Sequence, residues 1–279
     1  MRICYTSDLH GSRTLYDQLE VLLRHERPDL VILGGDMLPD GADHDPAGTQ
    51  ASYVRFDLGP RIEFWRQAVP GLEVALLMGN HDWLESERAA RAEQDAGRLT
   101  LLEPGRVAEI GSERFVGIPF SPPTPHWVKD YERLDLDSDD VPDFGGAVWA
   151  TDGEAPREVE RVKYFRGRPS LAVELAGVET PSEPWILVAH APPYDTRLDQ
   201  LPTVDYPIGS KAVRDFVAAR RPLCALHGHV HESPVASGSF SDKIDGVLCI
   251  NPGQSHEQLY AVLFDSEQPR KTLRHTEFA

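Results

Sequence analysis

The chain has 279 residues, with 45 Asp and Glu against 28 Lys and Arg and a formal charge of -17. A surface this negative repels nucleic acid phosphates and anionic membranes unless a local basic groove intervenes, and no Lys/Arg cluster along the sequence supplies one. The length can bury a sizeable core and fits one α/β domain over 1–279, and no apolar stretch approaches the roughly 20 residues of a membrane span.

In chain order, Arg2 to Ser7, Leu30 to Gly34 and Glu73 to Met78 are β-rich apolar runs, each ending where a metal-ligand type of side chain begins. Between the first two, Leu15, Leu19, Leu22 and Leu23 mark one face of a helix over Ser12 to His25, with Ser12 placed to cap it. Arg61 to Ala68 and Ser86 to Ala96 read as helices, the second stopping near Gly97. This β-α-β opening predicts a parallel sheet with ligands gathered at the carboxyl ends of its strands.

The second half is richer in strands. Arg106 to Ile110, Arg114 to Ile118, Leu171 to Leu175, Trp185 to Ala189, Leu223 to Leu226, Val247 to Ile250 and Leu259 to Phe264 all carry strand patterning. Ser210 to Arg220 reads as a helix, and Arg270 to Thr276 as a last strand. Two irregular segments interrupt the pattern: 37–59, rich in Asp, Gly and Pro, and 120–169, with aromatics and an acidic run from Asp130 to Asp143. Segments of that length inside a compact fold are functional loops or disorder, and the acidic run reads as a solvated loop.

Cys4, Cys224 and Cys249 lie in or beside strand-like runs, where a free thiol behaves as a small buried hydrophobe. An odd count without local pairing predicts a reducing compartment and a soluble cytoplasmic protein, and the short run after Met1-Arg2 lacks the form of a signal peptide.

Five motifs carry the chemistry: Asp8-Leu9-His10, Gly35-Asp36, Gly79-Asn80-His81-Asp82, His190 in Ala189-His190-Ala191-Pro192-Pro193, and Gly228-His229-Val230-His231. In an extended strand, side chains two apart share a face, so Asp8 with His10, and His229 with His231, can each serve one cation. Carboxylate with imidazole suits Mn, Fe or Zn, and no Cys lies near the motifs to make a thiolate site. The carboxylate of Asp36 has two oxygens and can bridge two cations, although a turn Asp also caps local amides. Asn80 offers a neutral carbonyl oxygen, while Asp82 can orient the ring of His81, although Asn-Gly pairs also make plain turns. Taken singly, each pair arises by chance; the five together, in order and each after a strand, do not read that way.

In order and residue type these motifs resemble the calcineurin-like metallophosphoesterase superfamily, from Asp8 to His231. The resemblance implies a β-sandwich of two mixed sheets flanked by helices, α/β/β/α. It implies one divalent metal held by Asp8, His10, Asp36 and His231, and a second held by Asp36, Asn80, His190 and His229, with Asp36 as the bridge. His81 then matches the residue that contacts the phosphate and protonates the leaving oxygen, and Asp82 its orienting partner. Two cations about 3.5 to 4 Å apart acidify a shared water, so a bridging hydroxide is the expected nucleophile.

Asp36 is followed by Met37-Leu38-Pro39 and the tetrad ends in Asp82, which departs from the protein Ser/Thr phosphatase pattern. The charge balance disfavours the repair nucleases, which share Gly-Asn-His-Asp. The remaining expectation is a phosphodiesterase or phosphatase on small molecules, with class III cyclic-nucleotide phosphodiesterases the nearest pattern. The alternative is a metal-binding scaffold without catalysis, against which the presence of His81 speaks. Asn251-Pro252-Gly253 resembles a segment beside the metal loops in some branches of the family but reads here as an ordinary turn. His227 is left out of the ligand set, and His25, His44, His126, His256 and His275 read as surface or structural residues. His126 beside Trp127 reaches the substrate only if the long insertion folds over the site. The aromatics Trp127, Tyr131, Phe144 and Trp149 are placed either to stack on a base or to form the insertion's own core.

Overall fold

The computed structural model describes residues 1–41, 45–153 and 155–278, so His44 lies outside the described residues. Strand β1 (Arg2–Thr6) leads to helix α1 (Arg13–Glu26), which buries Leu15, Leu19 and Leu23. Ser12 caps it by accepting from the Leu15 amide, and Arg27, in left-handed backbone, closes it with its N–H on the Leu23 carbonyl. The chain continues through β2 (Leu30–Gly34), α2 (Pro46–Tyr53), a π-helical turn (Val54–Leu58), α3 (Gly59–Ala68), β3 (Glu73–Leu77), α4 (Leu84–Asp95) and β4 (Thr100–Leu101). Then come β5 (Val107–Ile110), β6 (Glu113–Ile118), the hairpin of β7 (Val148–Asp152) and β8 (Ala155–Val159), α5 (Arg161–Arg166) and α6 (Leu171–Ala176). β9 (Ile186–Ala189), α7 (Lys211–Arg220), β10 (Cys224–Leu226), α8 (Ser233–Ser237), β11 (Ser241–Ile244), β12 (Val247–Ile250), β13 (Val262–Asp265), α9 (Pro269–Thr272) and β14 (Arg274–His275) complete it.

Two six-stranded mixed sheets form, ordered β14-β13-β1-β2-β3-β4 and β11-β12-β10-β9-β6-β5. Strands β1, β2 and β3 run parallel in the first sheet, as do β6, β9, β10 and β12 in the second. Alternation along β1 shows how the layers assemble. Ile3 and Tyr5 join an apolar cluster with Ile186, Val188, Leu226 and Ile250 between the sheets, whereas Cys4 belongs to the cluster that includes Leu15 and Leu19 of α1. The result is the expected α/β/β/α sandwich. Both parallel sets aim their carboxyl ends at one edge, which is where a shared site can be built.

Several expectations need correction. Leu171 to Leu175 is helical because Ser170 caps the Val173 amide and Leu171 and Leu175, one turn apart, are the buried pair. Arg270 to Thr276 is split between the short α9 and the two-residue β14. The segment 37–59 is largely helical, carrying α2 and the π-helical turn, and 120–169 carries the β7–β8 hairpin with a small core of Leu134, Ala150, Tyr164 and Phe165. The acidic run is not simply solvated. Asp135 accepts from Ser210 Oγ and the Lys211 amide at the start of α7, and Asp130 accepts the Leu84 amide at the start of α4. Among the described residues no helix is long and apolar enough to cross a membrane.

Candidate metal centre

Asp8 and His10 lie beyond β1, and His229 and His231 beyond β10, so the pleat does not align them. Left-handed turns do: Asp8 (φ 60°), His10 (φ 44°), Asp36 (φ 52°) and His229 (φ 68°) all occupy backbone that non-glycine residues rarely adopt. The turns are laced together across the strand ends. The amides of Asp8 and His10 donate to the carbonyls of Gly35 and Asp36 at 2.9 Å each, the Gly228 amide donates to the His190 carbonyl at 2.9 Å, and the His229 amide reaches the Asp8 carboxylate at 3.1 Å. Gly35, at φ 101°, brings its backbone so near His190 that any Cβ would strike the imidazole.

Six of the seven predicted ligands fall into two groups, and Asn80 joins the second by hydrogen-bond contact. Asp8, His10 and His231 form one, and Asp36, His190 and His229 the other, the ligand atoms of each lying within 4.8 Å of one another. In the first, Nε2 of His10 faces Nε2 of His231 at 3.4 Å, and Asp8 Oδ1 is 3.3 Å from the latter. In the second, His190 Nε2 is 3.1 Å from both Asp36 Oδ2 and Asn80 Oδ1, and His229 Nδ1 is 2.8 Å from Asn80 Oδ1. Three groups around a gap, two of them imidazole nitrogens aimed at each other, make a poor hydrogen-bond set and a good cation set. His190 is further tuned: its Nδ1 donates to the Gly34 carbonyl at 3.2 Å, leaving Nε2 to point inward. Asp36 stands with the second group alone, and its Oδ1 accepts the His81 amide at 2.8 Å.

Charge follows the same plan. Burial pushes the Asp8 carboxyl up, but the neighbouring His231 outweighs it and holds it at about 2. Burial likewise opposes ionisation of His190, yet Asp36 beside it raises the imidazole to about 9. His229 goes the other way, down to about 3, through burial and the charge on His190. His190, raised to about 9, and His231, raised by Asp8 against burial, thus stand beside the two carboxylates, and divalent cations bound there would compete with their protons.

His81 meets a partner the sequence reading missed. Its Nδ1 is 2.8 Å from Asp40 Oδ1, which also lies 3.6 Å from His10 Nδ1. Burial opposes protonation of His81, but Asp36 first and then Asp40 raise it to about 9. Among the described residues Asp82 makes no hydrogen bond to the ring. Its Oδ2 accepts the amides of Gly79 at 2.8 Å and Asp36 at 3.2 Å, bracing two ligand loops, and burial with Asp36 nearby pushes it up to about 8. The only hint of Asp40 in the sequence is its place four residues after Asp36, inside a segment read as irregular.

Other residues set the loops. Asn251 is no mere turn residue: Nδ2 lies 3.1 Å from each of the carbonyls of Leu198, Gly228 and Val230. His227 Nδ1 is 3.0 Å from the carbonyls of Ala189 and Ala191, so the ring holds the backbone on either side of His190. His126, read as a surface or structural residue, stacks on the ring of His81. Tyr131 is core, with its hydroxyl on Glu87, while Trp127 packs edge-on against Trp83. A cleft of about 620 Å³ is bordered by His10, Asp40, His81 and His231 on one side and Pro202 and Val235 on the other. Among the described residues, no Lys or Arg lines it.

With ligand-type groups at the joined carboxyl ends of two sheets, this is the architecture of a metallophosphoesterase. The chain belongs to the calcineurin-like phosphoesterase family, whose model matches residues 1–233. No curated protein matches the chain. Among solved structures, one aligns over 100% of this chain and 99% of its own at 16% identity with a TM-score of 0.64. TT1561 of Thermus thermophilus aligns over 98% and 97%, at 16% identity and a TM-score of 0.63. A novel archaeal phosphodiesterase is matched more loosely, at 12% identity and a TM-score of 0.46 over 99% of this chain and 98% of its own. At such identities the likeness is one of fold.

Proposed function

We propose that the chain hydrolyses small-molecule phosphodiesters or phosphomonoesters with two divalent cations, His81 acting as general acid. The observation that carries this reading is the placement of His81: beside both ligand groups, with Nδ1 held by Asp40, and with a quarter of its side chain exposed at the cleft. Asp8, His10 and His231 would hold one cation and Asp36, Asn80, His190 and His229 the other, and a bridging Asp36 would have to reach across from the second group to the first. Divalent cations such as Mn, Fe or Zn held there would lower the pKa of a bound water enough to make hydroxide available near neutral pH, and would offset the charge of the phosphate oxygens.

The side chains do the rest. Asp40 on Nδ1 sets the ring so that Nε2, which has no hydrogen-bond partner among the described residues, carries the proton toward the leaving oxygen. Asp82 holds the Gly79 and Asp36 backbones and keeps Asn80 and Asp36 in register. The absence of Lys and Arg from the cleft lining among the described residues and the formal charge of -17 support a substrate with a single phosphoester over a nucleic acid polymer. A scaffold role would leave the Asp40–His81 pair without a purpose. The test is turnover of bis-p-nitrophenyl phosphate, and then of nucleotides, cyclic nucleotides and phospholipid headgroups, by protein loaded with Mn²⁺, Fe²⁺ or Zn²⁺. Protein holding two metals yet inert to that whole range would sink the enzyme reading.

A further inference from the structure

The segment 120–169 interrupts the alternation of strands and helices, and no ligand motif lies in it. It nevertheless sends one side chain into the centre. The ring of His126 lies on that of His81, with centroids 3.6 Å apart and planes inclined by 18°. A contact this close and this parallel, between side chains 45 positions apart, restricts how far the His81 ring can tilt or rotate.

The loop that presents His126 is built for rigidity. Lys129, 2% exposed, donates from Nζ to the carbonyls of His126 and Thr124 and to Glu132 Oε2 at 2.6 Å, while Glu132 is wholly buried. The His126 amide in turn donates to Thr124 Oγ1 at 3.2 Å, and that hydroxyl donates to Glu132 Oε1 at 2.5 Å. A buried, mutually satisfied charge pair of this kind holds backbone in one arrangement, because opening it strands a charge in the interior. On the other side of His126, Trp127 packs against Trp83 with ring centroids 5.4 Å apart, and Trp83 is two residues after His81. Gln50, from the other insertion, ties the same stretch down: its Nε2 donates to the His81 carbonyl at 3.0 Å and its Oε1 accepts the Trp83 amide at 2.9 Å.

We infer that His126 is a positioning residue for His81: by stacking flat on the imidazole it fixes the plane in which Nε2 meets the leaving oxygen. Asp40 sets which nitrogen faces the substrate, and His126 sets the angle at which it does so. A general acid works only when proton, nitrogen and leaving oxygen are aligned, so a ring free to swing loses rate in proportion to how much the leaving group needs the proton. The inference rests on the reading of His81 as the acid, and the experiment separates the two.

The Mn²⁺-loaded protein and its His126→Ala, His126→Phe and His81→Ala variants are compared on a series of phosphodiesters whose leaving groups range from p-nitrophenol to simple alkyl alcohols. His126→Ala is expected to lose little on p-nitrophenyl esters and on the order of 10-fold to 100-fold in kcat on alkyl esters, with KM and metal content unchanged. His126→Phe, which keeps a flat ring but no nitrogen, is expected to recover most of that loss. A loss uniform across the series, a change confined to KM, or a His126→Phe variant as impaired as His126→Ala overturns the positioning role. His81→Ala with no leaving-group dependence overturns instead the reading of His81 as the acid, whatever the His126 variants do.

Discussion

Asp40 Oδ1 and His81 Nδ1 stand 2.8 Å apart, although 40 residues that carry α2, the π-helical turn, α3 and β3 separate them in sequence. The pair decides which ring nitrogen faces the cleft and helps to keep the ring protonated. Asp36 is the largest of the charges that raise His81 to about 9 against burial, and Asp40 adds to it by a hydrogen bond and by its charge. Replacing Asp40 by Asn keeps an oxygen for Nδ1 but removes the charge. His81 then loses its proton at lower pH, and the alkaline limb of the kcat profile of Asp40→Asn moves toward neutrality. Asp40→Ala should cost roughly 10-fold to 100-fold in kcat with both metals retained, as loss of an orienting partner does. His81→Ala should cost on the order of 10²-fold to 10⁴-fold. Metal analysis beside steady-state kinetics checks all three, and an Asp40→Ala variant with full kcat would remove the pair from the mechanism.

Asp36 is placed with His190 and Asn80, and its other oxygen takes the His81 amide. If it serves both cations, Asp36→Asn lowers the occupancy of both. Elemental analysis after dialysis against a fixed metal concentration reads this directly; loss of one metal alone would confine Asp36 to the second group.

Asn251 stands behind the ligand loops and is wholly buried. Its amide links the carbonyls of Leu198, Gly228 and Val230, the last two bracketing His229. Asn251→Ala removes the side-chain donor from all three carbonyls, although those of Gly228 and Val230 keep the amides of Val230 and Ser233, and should destabilise the fold by about 1–3 kcal/mol. Metal affinity at His229 and His231 should fall with it. Urea melts of the metal-free protein and Mn²⁺ titrations separate the two effects; unchanged melts would mean that the loops hold their shape without the amide.

His227 gives the fold an acid sensitivity of its own. Burial pulls its pKa down to about 4, below the roughly 6.5 of an exposed imidazole. Between those values the unfolded chain takes up a proton that the folded chain refuses. The stability tied to the neutral ring is therefore present above about pH 6.5 and lost as the pH falls toward 4. Asn at this position still has an amide donor for the Ala189 and Ala191 carbonyls but does not titrate. Metal-free His227→Asn should consequently lose less Tm than the parent between about pH 7 and pH 4.5. Parallel curves for the two proteins would exclude His227 as a source of the acid sensitivity.

Much of the site is legible because metal chemistry restricts residue types so strongly. Few sequences place Asp-x-His, Gly-Asp, Gly-Asn-His-Asp, a lone His and Gly-His-x-His in order after apolar runs. The strands behind them are equally plain, since Leu30 to Gly34 or Ile186 to Ala189 have little alternative to a buried strand. Leu171 to Leu175 was not plain: five residues whose apolar positions fit both period two and a single helical turn are decided by the Ser170 cap. Nor did alternation along a strand explain Asp8 and His10, whose convergence comes from left-handed turns held by neighbouring loops.

The sequence alone determined the reaction class, because the identity and order of ligand-type residues are local facts, written one after another along the chain. Tertiary structure alone decided what surrounds His81. Asp40 and His126 come from the two segments without periodic pattern, and nothing local marks either one, since a hydrogen bond across 41 positions and a ring stack across 45 exist only once distant loops have been packed against the same strand ends.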